Sequence, residues 1–348
     1  MRRAVWLAVA LILALPTLLA GWALLISASF LVEFLSEGRW RPLSAISGSV
    51  VVESLTTHVG PRASVVDLYR LSGGPSNPAG LVLVHGLSQQ GKGDPRLRQA
   101  ASLLARAGWA VAVPTVEGLT ILRLRPDDAL TIVAAIQALV QAGYRPVAVL
   151  GVSLGAGPAL LGAADPRVSS DVSAVLALGG YASAVELLRF TLTGAYRFDG
   201  VAGRRPVSEP AIAQFALANA DLLDGASRQL VDNRDPAALD ALVAKLTPST
   251  RHLLAALSPE IVLGRLRATP LYLIHGRGDP AVPFTESLRL ERAARAAGHR
   301  DVHVVIVGSL SHIEPVWSAG LPDLLRLWEG LYAVRYASSR LTSAGRDS

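Results

Sequence analysis

Short apolar runs alternate along most of the chain with longer segments in which apolar residues recur at helical spacing. Runs of four or five apolar residues are typical of buried strands, and the longer segments predict amphipathic helices. The alternation predicts a mostly parallel central sheet with helices on both faces. The predicted strand and helix pairs are Leu81–Val84 with Pro95–Ala107, Ala110–Val113 with Pro126–Ala142, Val147–Leu150 with Leu154–Ala163, Leu271–Ile274 with Phe284–Ala297, and Val302–Val307 with Pro322–Tyr336.

Two earlier segments, Ser49–Leu55 and Ser64–Leu71, carry β-branched residues and predict strands at an antiparallel edge of this sheet. After a further strand, Ala174–Leu178, the alternation stops. Residues 181–267 carry helical patterns and a Gly/Arg/Pro-rich break at Gly200–Pro206. Because a structureless loop of that length is uncommon, we interpret them as an inserted helical cap. The predicted division is an N-terminal segment 1–40, a core in two parts, 41–180 and 268–348, and the cap 181–267.

The N-terminal pattern is different, because no charged residue occurs between Ala4 and Val32. A helix of about 20 apolar residues crosses a bilayer, so the run predicts a single-pass transmembrane anchor. A cleaved signal peptide is the alternative, although its apolar region is usually about 7–15 residues long. Arg2 and Arg3 favour a cytoplasmic N-terminus and an extracytoplasmic domain. Arg39 and Arg41, beyond the run, oppose that orientation.

Composition narrows the function classes. Of the 348 residues, 51% are hydrophobic and 17% are charged, which allows a sizeable core and excludes global disorder. The net charge is +6, but the arginines are scattered and no basic stripe with interleaved aromatics occurs, so we predict no nucleic-acid partner. The chain has no cysteine, which excludes disulfides, thiol catalysis and Cys-ligated zinc, and we predict no metal.

The segment Gly151–Gly155 (GVSLG) lies between a predicted strand and a predicted helix. It matches G-x-S-x-G, in which the serine stands on a sharp turn and its neighbours must be small. The start of the following helix supplies backbone N–H groups that favour a developing negative charge. Ser153 is therefore the candidate nucleophile, with Gly151 and Gly155 as the small residues of the turn.

The segment His85–Leu87 (HGL) follows the strand Leu81–Val84. In sites of this kind one oxyanion donor is the N–H of the residue after the nucleophile, here Leu154, and the other comes from a loop after an earlier strand. Leu87 is the candidate for the second donor. His85 could act as a base, but we assign it, with Gly86, to shaping this loop.

Two later loops supply an acid and a base. Asp279 lies in HGRGDPAVP directly after a predicted strand, between a glycine and a proline that favour a turn. It could instead only cap the next helix. His312 ends GSLSH after the last predicted strand, whereas the competing His303 lies inside that strand. The order Ser153, Asp279, His312 is the order expected for a nucleophile on a G-x-S-x-G turn.

The segments LVLVHGLS, VAVLGVSLG, LIHGRGDPAVP and GSLSH, in this order, make the sequence resemble the α/β-hydrolase superfamily from roughly Val65 to Tyr336. The resemblance implies the α/β-hydrolase fold and no cofactor. It implies Ser153 as nucleophile, Asp279 as acid and His312 as base, with Leu87 and Leu154 as oxyanion donors. The sequence departs from the family where Leu310 and Ser311 replace the more usual glycine before the histidine.

The expected reaction is hydrolysis of a small carboxylic ester through an acyl-enzyme, and the anchor alone suggests lipophilic or acyl-lipid esters. Acyltransferase, thioesterase or peptidase activity would use the same groups. A catalytically inactive, membrane-tethered binding protein is an alternative of another class, since a fold does not establish activity. In the cap, the residues Phe215, Leu217, Leu222 and Leu223 could line an acyl pocket or pack on the sheet.

Overall fold

The computed structural model describes residues 21–75, 78–221, 225–232, 234–308, 310–312, 314–315, 322–323, 325–329 and 332. The strands are β1 Val50–Val59, β2 Arg62–Leu71, β3 Gly80–Val84, β4 Ala110–Val113, β5 Val147–Val152, β6 Val172–Leu178, β7 Ala195–Phe198, β8 Val201–Arg204, β9 Leu271–Gly276, β10 Val302–Val307, β11 Leu310–Ser311 and β12 Glu314–Pro315. The helices are α1 (residues 21–35), α2 Pro42–Ile46, α3 Pro95–Arg106, α4 Glu117–Thr120, α5 Asp128–Gln141, α6 Ala156–Ala163, α7 Ala184–Thr193, α8 Glu209–Ala218, α9 Gly225–Asp232, α10 Pro236–Ala244, α11 Pro248–Ala256 and α12 Thr285–Ala296. Of the predicted helix Pro322–Tyr336, the described residues 322–323, 325–329 and 332 are helical.

Eight strands form one sheet in the order β1-β2-β4-β3-β5-β6-β9-β10. Strand β2 is antiparallel to both β1 and β4, and the remaining pairs are parallel. The predicted mostly parallel sheet with an antiparallel edge is confirmed. Strand β1 continues past the predicted end at Leu55, because Thr56 to Val59 pair with β2. His58 faces solvent on this edge strand, so its polarity does not end the pairing.

Side chains of β3 alternate between two hydrophobic clusters, as the period of two in a strand requires. Val82 and Val84 join the cluster that contains α5, α6 and α12. Leu81 and Leu83 join the cluster on the opposite face, which contains α3 and Ile26 of α1. Helices therefore cover both faces of the sheet, as predicted.

Several helices begin at a proline that follows a capping residue. The side chains of Asp94, Asp235 and Thr247 accept hydrogen bonds from backbone N–H groups in the first turns of α3, α10 and α11. Proline is favoured at the first helical position, because the N–H it lacks would have no partner inside the helix. These starts are therefore determined locally by the sequence.

Helix α1 packs against the folded domain, although residues up to Val32 were predicted to span a membrane. Ile26 joins the cluster under α3, and Leu31 packs with Val307 and Leu327. The buried Glu33 carboxylate accepts a hydrogen bond from the Ser44 N–H in α2 at 2.9 Å. Among the described residues, no helix has the length and hydrophobicity needed to cross a bilayer. Residues 1–20 of the predicted anchor lie outside the described residues, so membrane attachment stays a prediction.

The segment between β6 and β9 contains α7 to α11 and the hairpin of β7 and β8. The sequence indicated only a break at Gly200–Pro206, whereas the structure forms a hairpin there that packs against α12. The guanidinium groups of Arg289 and Arg292 each lie 4.6 Å from the centre of the Phe198 ring. The helices share a small core of their own, formed by Leu192, Ile212, Leu230, Leu239, Leu242 and Leu246.

Candidate active site

Ser153 stands on a turn between β5 and α6, at the carboxyl end of the parallel strands. Its φ is 54°, a left-handed conformation that costs a non-glycine residue energy. Packing leaves no room for side chains beside it. A Cβ on Gly151 would lie 2.5 Å from Ala156 Cα, and one on Gly155 would lie 2.1 Å from the His85 carbonyl oxygen. Both glycines therefore fit the close approach of strand, turn and helix that the motif predicts.

A chain of two hydrogen bonds joins the three predicted catalytic side chains. The Ser153 hydroxyl and His312 Nε2 are 2.7 Å apart, and His312 Nδ1 and Asp279 Oδ2 are also 2.7 Å apart. Because Nδ1 faces a carboxylate, it carries the ring proton and donates it, which leaves Nε2 to accept the hydrogen bond from Ser153. In this arrangement the imidazole can take the proton of the serine hydroxyl.

The Asp279 carboxylate is completely buried and accepts hydrogen bonds at both oxygens. Its Oδ1 accepts from the backbone N–H groups of Ala281 at 2.8 Å and Val282 at 2.9 Å. Burial by itself would raise the pKa of Asp279. Hydrogen bonds from His275 and His312 outweigh that effect and hold the pKa well below its ordinary value. Asp279 is therefore ionised and fixed in orientation toward His312.

His275 contacts this carboxylate and was not predicted to take part in the site. Its side chain is fully buried, and its Nε2 lies 2.9 Å from the Val282 carbonyl oxygen and 3.3 Å from Asp279 Oδ2. Nε2 therefore carries a proton, and Nδ1 accepts a hydrogen bond from the Ser287 hydroxyl at 2.8 Å. The sequence signal was its place at the end of β9, four residues before Asp279.

The loop after β3 contacts Ser153 directly. The Val116 N–H donates to His85 Nε2 at 2.9 Å, and His85 Nδ1 donates to the Gly86 carbonyl at 2.7 Å. Burial lowers the pKa of His85, so this ring is neutral and holds the loop in shape. A Cβ on Gly86 would lie 2.9 Å from Ser153 Cβ. Leu87 and Leu154, whose N–H groups are the predicted oxyanion donors, both line the cavity beside Ser153.

Glu286 in α12 is a second group that the sequence reasoning missed. Its side chain is buried and accepts hydrogen bonds from the N–H groups of Ala182 and Ser183, each at 3.0 Å, and from Arg289. Burial raises the pKa of Glu286. The residue fixes the chain after β6, where the insertion begins. Arg289, one helical turn later, was the available hint, but the partners across the fold have no sequence signature.

A cavity of about 1310 Å³ opens beside Ser153 and His312, and most of its lining side chains are aliphatic or aromatic. Phe215 lines it, whereas Leu217 is 79% exposed and neither lines the cavity nor packs on the sheet. Leu222 and Leu223 lie outside the described residues. Within the described part of the chain, no cluster of His, Asp or Glu side chains is arranged to hold a metal ion.

A model of the alpha/beta hydrolase family matches residues 81–320. This range contains all of the site residues above. No curated protein sequence matches the chain.

Solved structures share the fold at low sequence identity. An acylaminoacyl peptidase of Pyrococcus horikoshii has a TM-score of 0.54 at 15% identity, over 82% of this chain and 41% of that chain. An esterase of Pyrococcus furiosus has a TM-score of 0.50 at 15% identity, over 86% and 95%. Brefeldin A esterase, a bacterial homologue of human hormone-sensitive lipase, has a TM-score of 0.51 at 19% identity, over 84% and 78%. The chain thus spans about two fifths of the peptidase, and these likenesses show the fold alone.

Proposed function

Because the chain belongs to the alpha/beta hydrolase family, we propose that it is a serine hydrolase that cleaves carboxylic esters through an acyl-enzyme at Ser153. The observation that carries the proposal is the pair of 2.7 Å hydrogen bonds from Ser153 to His312 and from His312 to Asp279. A serine hydroxyl is a weak nucleophile unless an oriented base takes its proton. His312 is the base, and Asp279 orients it.

In the first step, Ser153 Oγ attacks the ester carbonyl carbon while its proton passes to His312 Nε2. The carbonyl oxygen becomes an oxyanion, which the N–H groups of Leu87 and Leu154 stabilise. The ionised Asp279 stabilises the imidazolium. The C–O bond to the alcohol then breaks, and Nε2 returns the proton to the departing oxygen.

In the second step, water replaces the alcohol. His312 Nε2 takes a proton from the water as its oxygen attacks the acyl-enzyme carbonyl carbon. The bond between that carbon and Ser153 Oγ breaks, and Oγ recovers the proton. The products are a carboxylic acid and an alcohol, and the enzyme is regenerated without a cofactor.

The character of the cavity favours an ester over a peptide. A bound peptide brings backbone N–H and C=O groups, and each such group buried without a partner costs about 1–3 kcal/mol. The cavity offers mainly aliphatic and aromatic side chains. An ester with hydrocarbon substituents needs polar partners only at its reacting carbonyl.

A fluorophosphonate probe tests the proposal, because it reacts with activated serines. We expect an adduct on Ser153 that mass spectrometry maps and that Ser153→Ala abolishes. Ser102→Ala is the matched control, since its hydroxyl donates within α3, to the Arg98 carbonyl. If folded protein gives no adduct on Ser153, the proposal that Ser153 is an activated nucleophile is refuted.

The substrate class needs a second comparison on the same protein. Matched ester, thioester and anilide substrates with one acyl group should show the ester cleaved with the highest kcat/KM. Faster cleavage of the anilide would favour a peptidase, and acyl transfer to an added alcohol in preference to water would favour an acyltransferase. Either result would overturn the ester assignment while leaving Ser153 as nucleophile.

A further inference from the structure

The cavity beside Ser153 extends away from the carboxyl ends of the strands and along one face of the sheet. Its lining there includes Leu81 and Leu83 of β3, which point to the same face, and Leu97 and Leu104 of α3. These four side chains are at most 8% exposed. This part of the cavity, which we call the inner arm, is therefore enclosed by the domain.

Helix α1 forms the outer wall of the inner arm. Ile26 and Phe30 line the cavity, as does Ser27, whose hydroxyl donates to the Ala23 carbonyl at 2.8 Å. Ser27 therefore presents no unsatisfied polar group to the cavity. On the opposite side of the helix, Leu25 is 48% exposed and does not line the cavity. The two faces of α1 thus have different environments.

The chemistry of the inner arm specifies its occupant. The reacting groups Ser153 and His312 lie at one place in the cavity. Apart from Ser27 of α1 and Arg96 and Gln99 of α3, the side chains of α1, α3 and β3 that line the cavity are aliphatic or aromatic. Typical ligand pockets measure about 300–1,000 Å³, so this cavity has room for more than a small ester. A matching ligand has a reactive carbonyl at Ser153 and a long hydrocarbon group in the arm.

The order of the two chemical steps indicates which side of the ester uses the arm. The acyl group stays bonded to Ser153 while the alcohol leaves and water enters. An enclosed arm suits the part that stays, because the alcohol must diffuse away before the second step. We propose that the inner arm holds the acyl chain of a long-chain ester and that α1 is the wall that closes it. This inference rests on the proposed serine hydrolase activity.

The chain-length profile tests the proposal. We expect kcat/KM for p-nitrophenyl esters to rise about fourfold for each methylene added from butanoate to decanoate. Ile26→Trp fills the arm and should flatten this rise. Leu25→Trp places the same large side chain on the exposed face of α1, and this variant should keep the rise of kcat/KM with chain length. Ala100→Trp places a large side chain in the inner arm from α3 and should also flatten the rise, so it provides the test if Ile26→Trp does not fold.

The wild-type protein gives an independent readout. A dodecyl fluorophosphonate with a terminal diazirine first reacts at Ser153 and is then crosslinked by light to the residues near the chain end. Crosslinks to α1 or α3 support the inner arm. Crosslinks confined to α8 or α11 of the insertion would overturn it, as would an unchanged chain-length profile in both Ile26→Trp and Ala100→Trp.

The two proposals fail in different ways. Absence of any Ser153 adduct, with either the short probe or the long one, rejects the hydrolase. An adduct together with butanoate hydrolysis, but no gain with longer acyl chains, keeps the hydrolase and rejects the acyl arm.

Discussion

Gly86 lies against Ser153, the proposed nucleophile, and Gly86→Ala tests whether that contact determines the position of Ser153. The new Cβ would be 2.9 Å from Ser153 Cβ and 3.2 Å from the Val152 carbonyl oxygen, whereas ordinary contacts start at 3.4 Å. Ser153 or the loop must therefore shift by about 0.5 Å, because a close-packed site has no spare space. A displacement of 1 Å can cost about 100-fold in rate, so we expect kcat/KM to fall roughly tenfold.

Alanine substitutions at two other glycines should be less damaging and more damaging than Gly86→Ala. A Cβ on Gly93, in the loop that leads to α3, meets nothing within 4 Å, so Gly93→Ala should keep wild-type kcat/KM. A Cβ on Gly155 would lie 2.1 Å from a backbone oxygen, which cannot move without moving the loop after β3. Overpacking of this kind costs about 1–3 kcal/mol or more, so Gly155→Ala should lose both stability and activity.

The assay combines steady-state hydrolysis of p-nitrophenyl butanoate with urea unfolding of each variant. If the contact distances decide the outcome, the loss of activity and stability increases in the order Gly93→Ala, Gly86→Ala, Gly155→Ala. Gly86→Ala should lose more activity than stability. Wild-type kcat/KM in Gly86→Ala would refute the claim that this contact determines the position of Ser153. If Gly93→Ala lost as much activity and stability as Gly86→Ala, the packing distances would not explain the result.

Two further predictions concern Asp279 and its neighbours. His275→Leu should lower the free energy of unfolding by about 2–4 kcal/mol, because it leaves the Val282 carbonyl and the Ser287 hydroxyl without their hydrogen-bond partner, and it should also lower kcat. His275→Gln can still donate a hydrogen bond and should recover part of kcat. Equal kcat in the two variants would contradict a positioning role for His275. Because the pKa of Asp279 is lowered in the folded state, protons bind the unfolded state more tightly and stability is lost as pH falls below about 4. Asp279→Asn lacks this carboxylate, so the wild type should lose about 0.7 kcal/mol of unfolding free energy relative to the variant between pH 6 and pH 3.5. Urea titrations at the two pH values measure this change, and a constant difference would contradict the lowered pKa.

The parts of the site that the sequence predicts are those governed by local geometry and strand order. The glycines around Ser153 follow from the steric needs of one turn. Asp279 and His312 follow from the rule that parallel strands end at the same edge of a sheet, where loops after β9 and β10 reach the loop after β5. Ser153, Asp279 and His312 were thus predicted from three short segments far apart in sequence, and in the structure His312 lies within hydrogen-bonding distance of the other two.

The contacts that the sequence did not predict depend on partners from distant segments. His275 matters because Asp279 and Ser287 converge on it, and Glu286 because the chain after β6 reaches it. Helix α1 illustrates a different limit. A long, uncharged and mostly apolar run suits both a lipid environment and a protein interior, so hydropathy alone could not show that Ile26 and Leu31 contact the domain.

The insertion between β6 and β9 has a consequence for how the chain folds. These two strands are neighbours in the sheet, yet the whole of residues 181–267 separates them in sequence. Pairing them closes a long loop, and contacts between segments so far apart in sequence form slowly. During synthesis Ser153 emerges well before Asp279 and His312, so a nascent chain carries the proposed nucleophile without the proposed base. The proposed hydrolytic activity would therefore appear only when the last strands join the sheet, and measuring it would report completed folding.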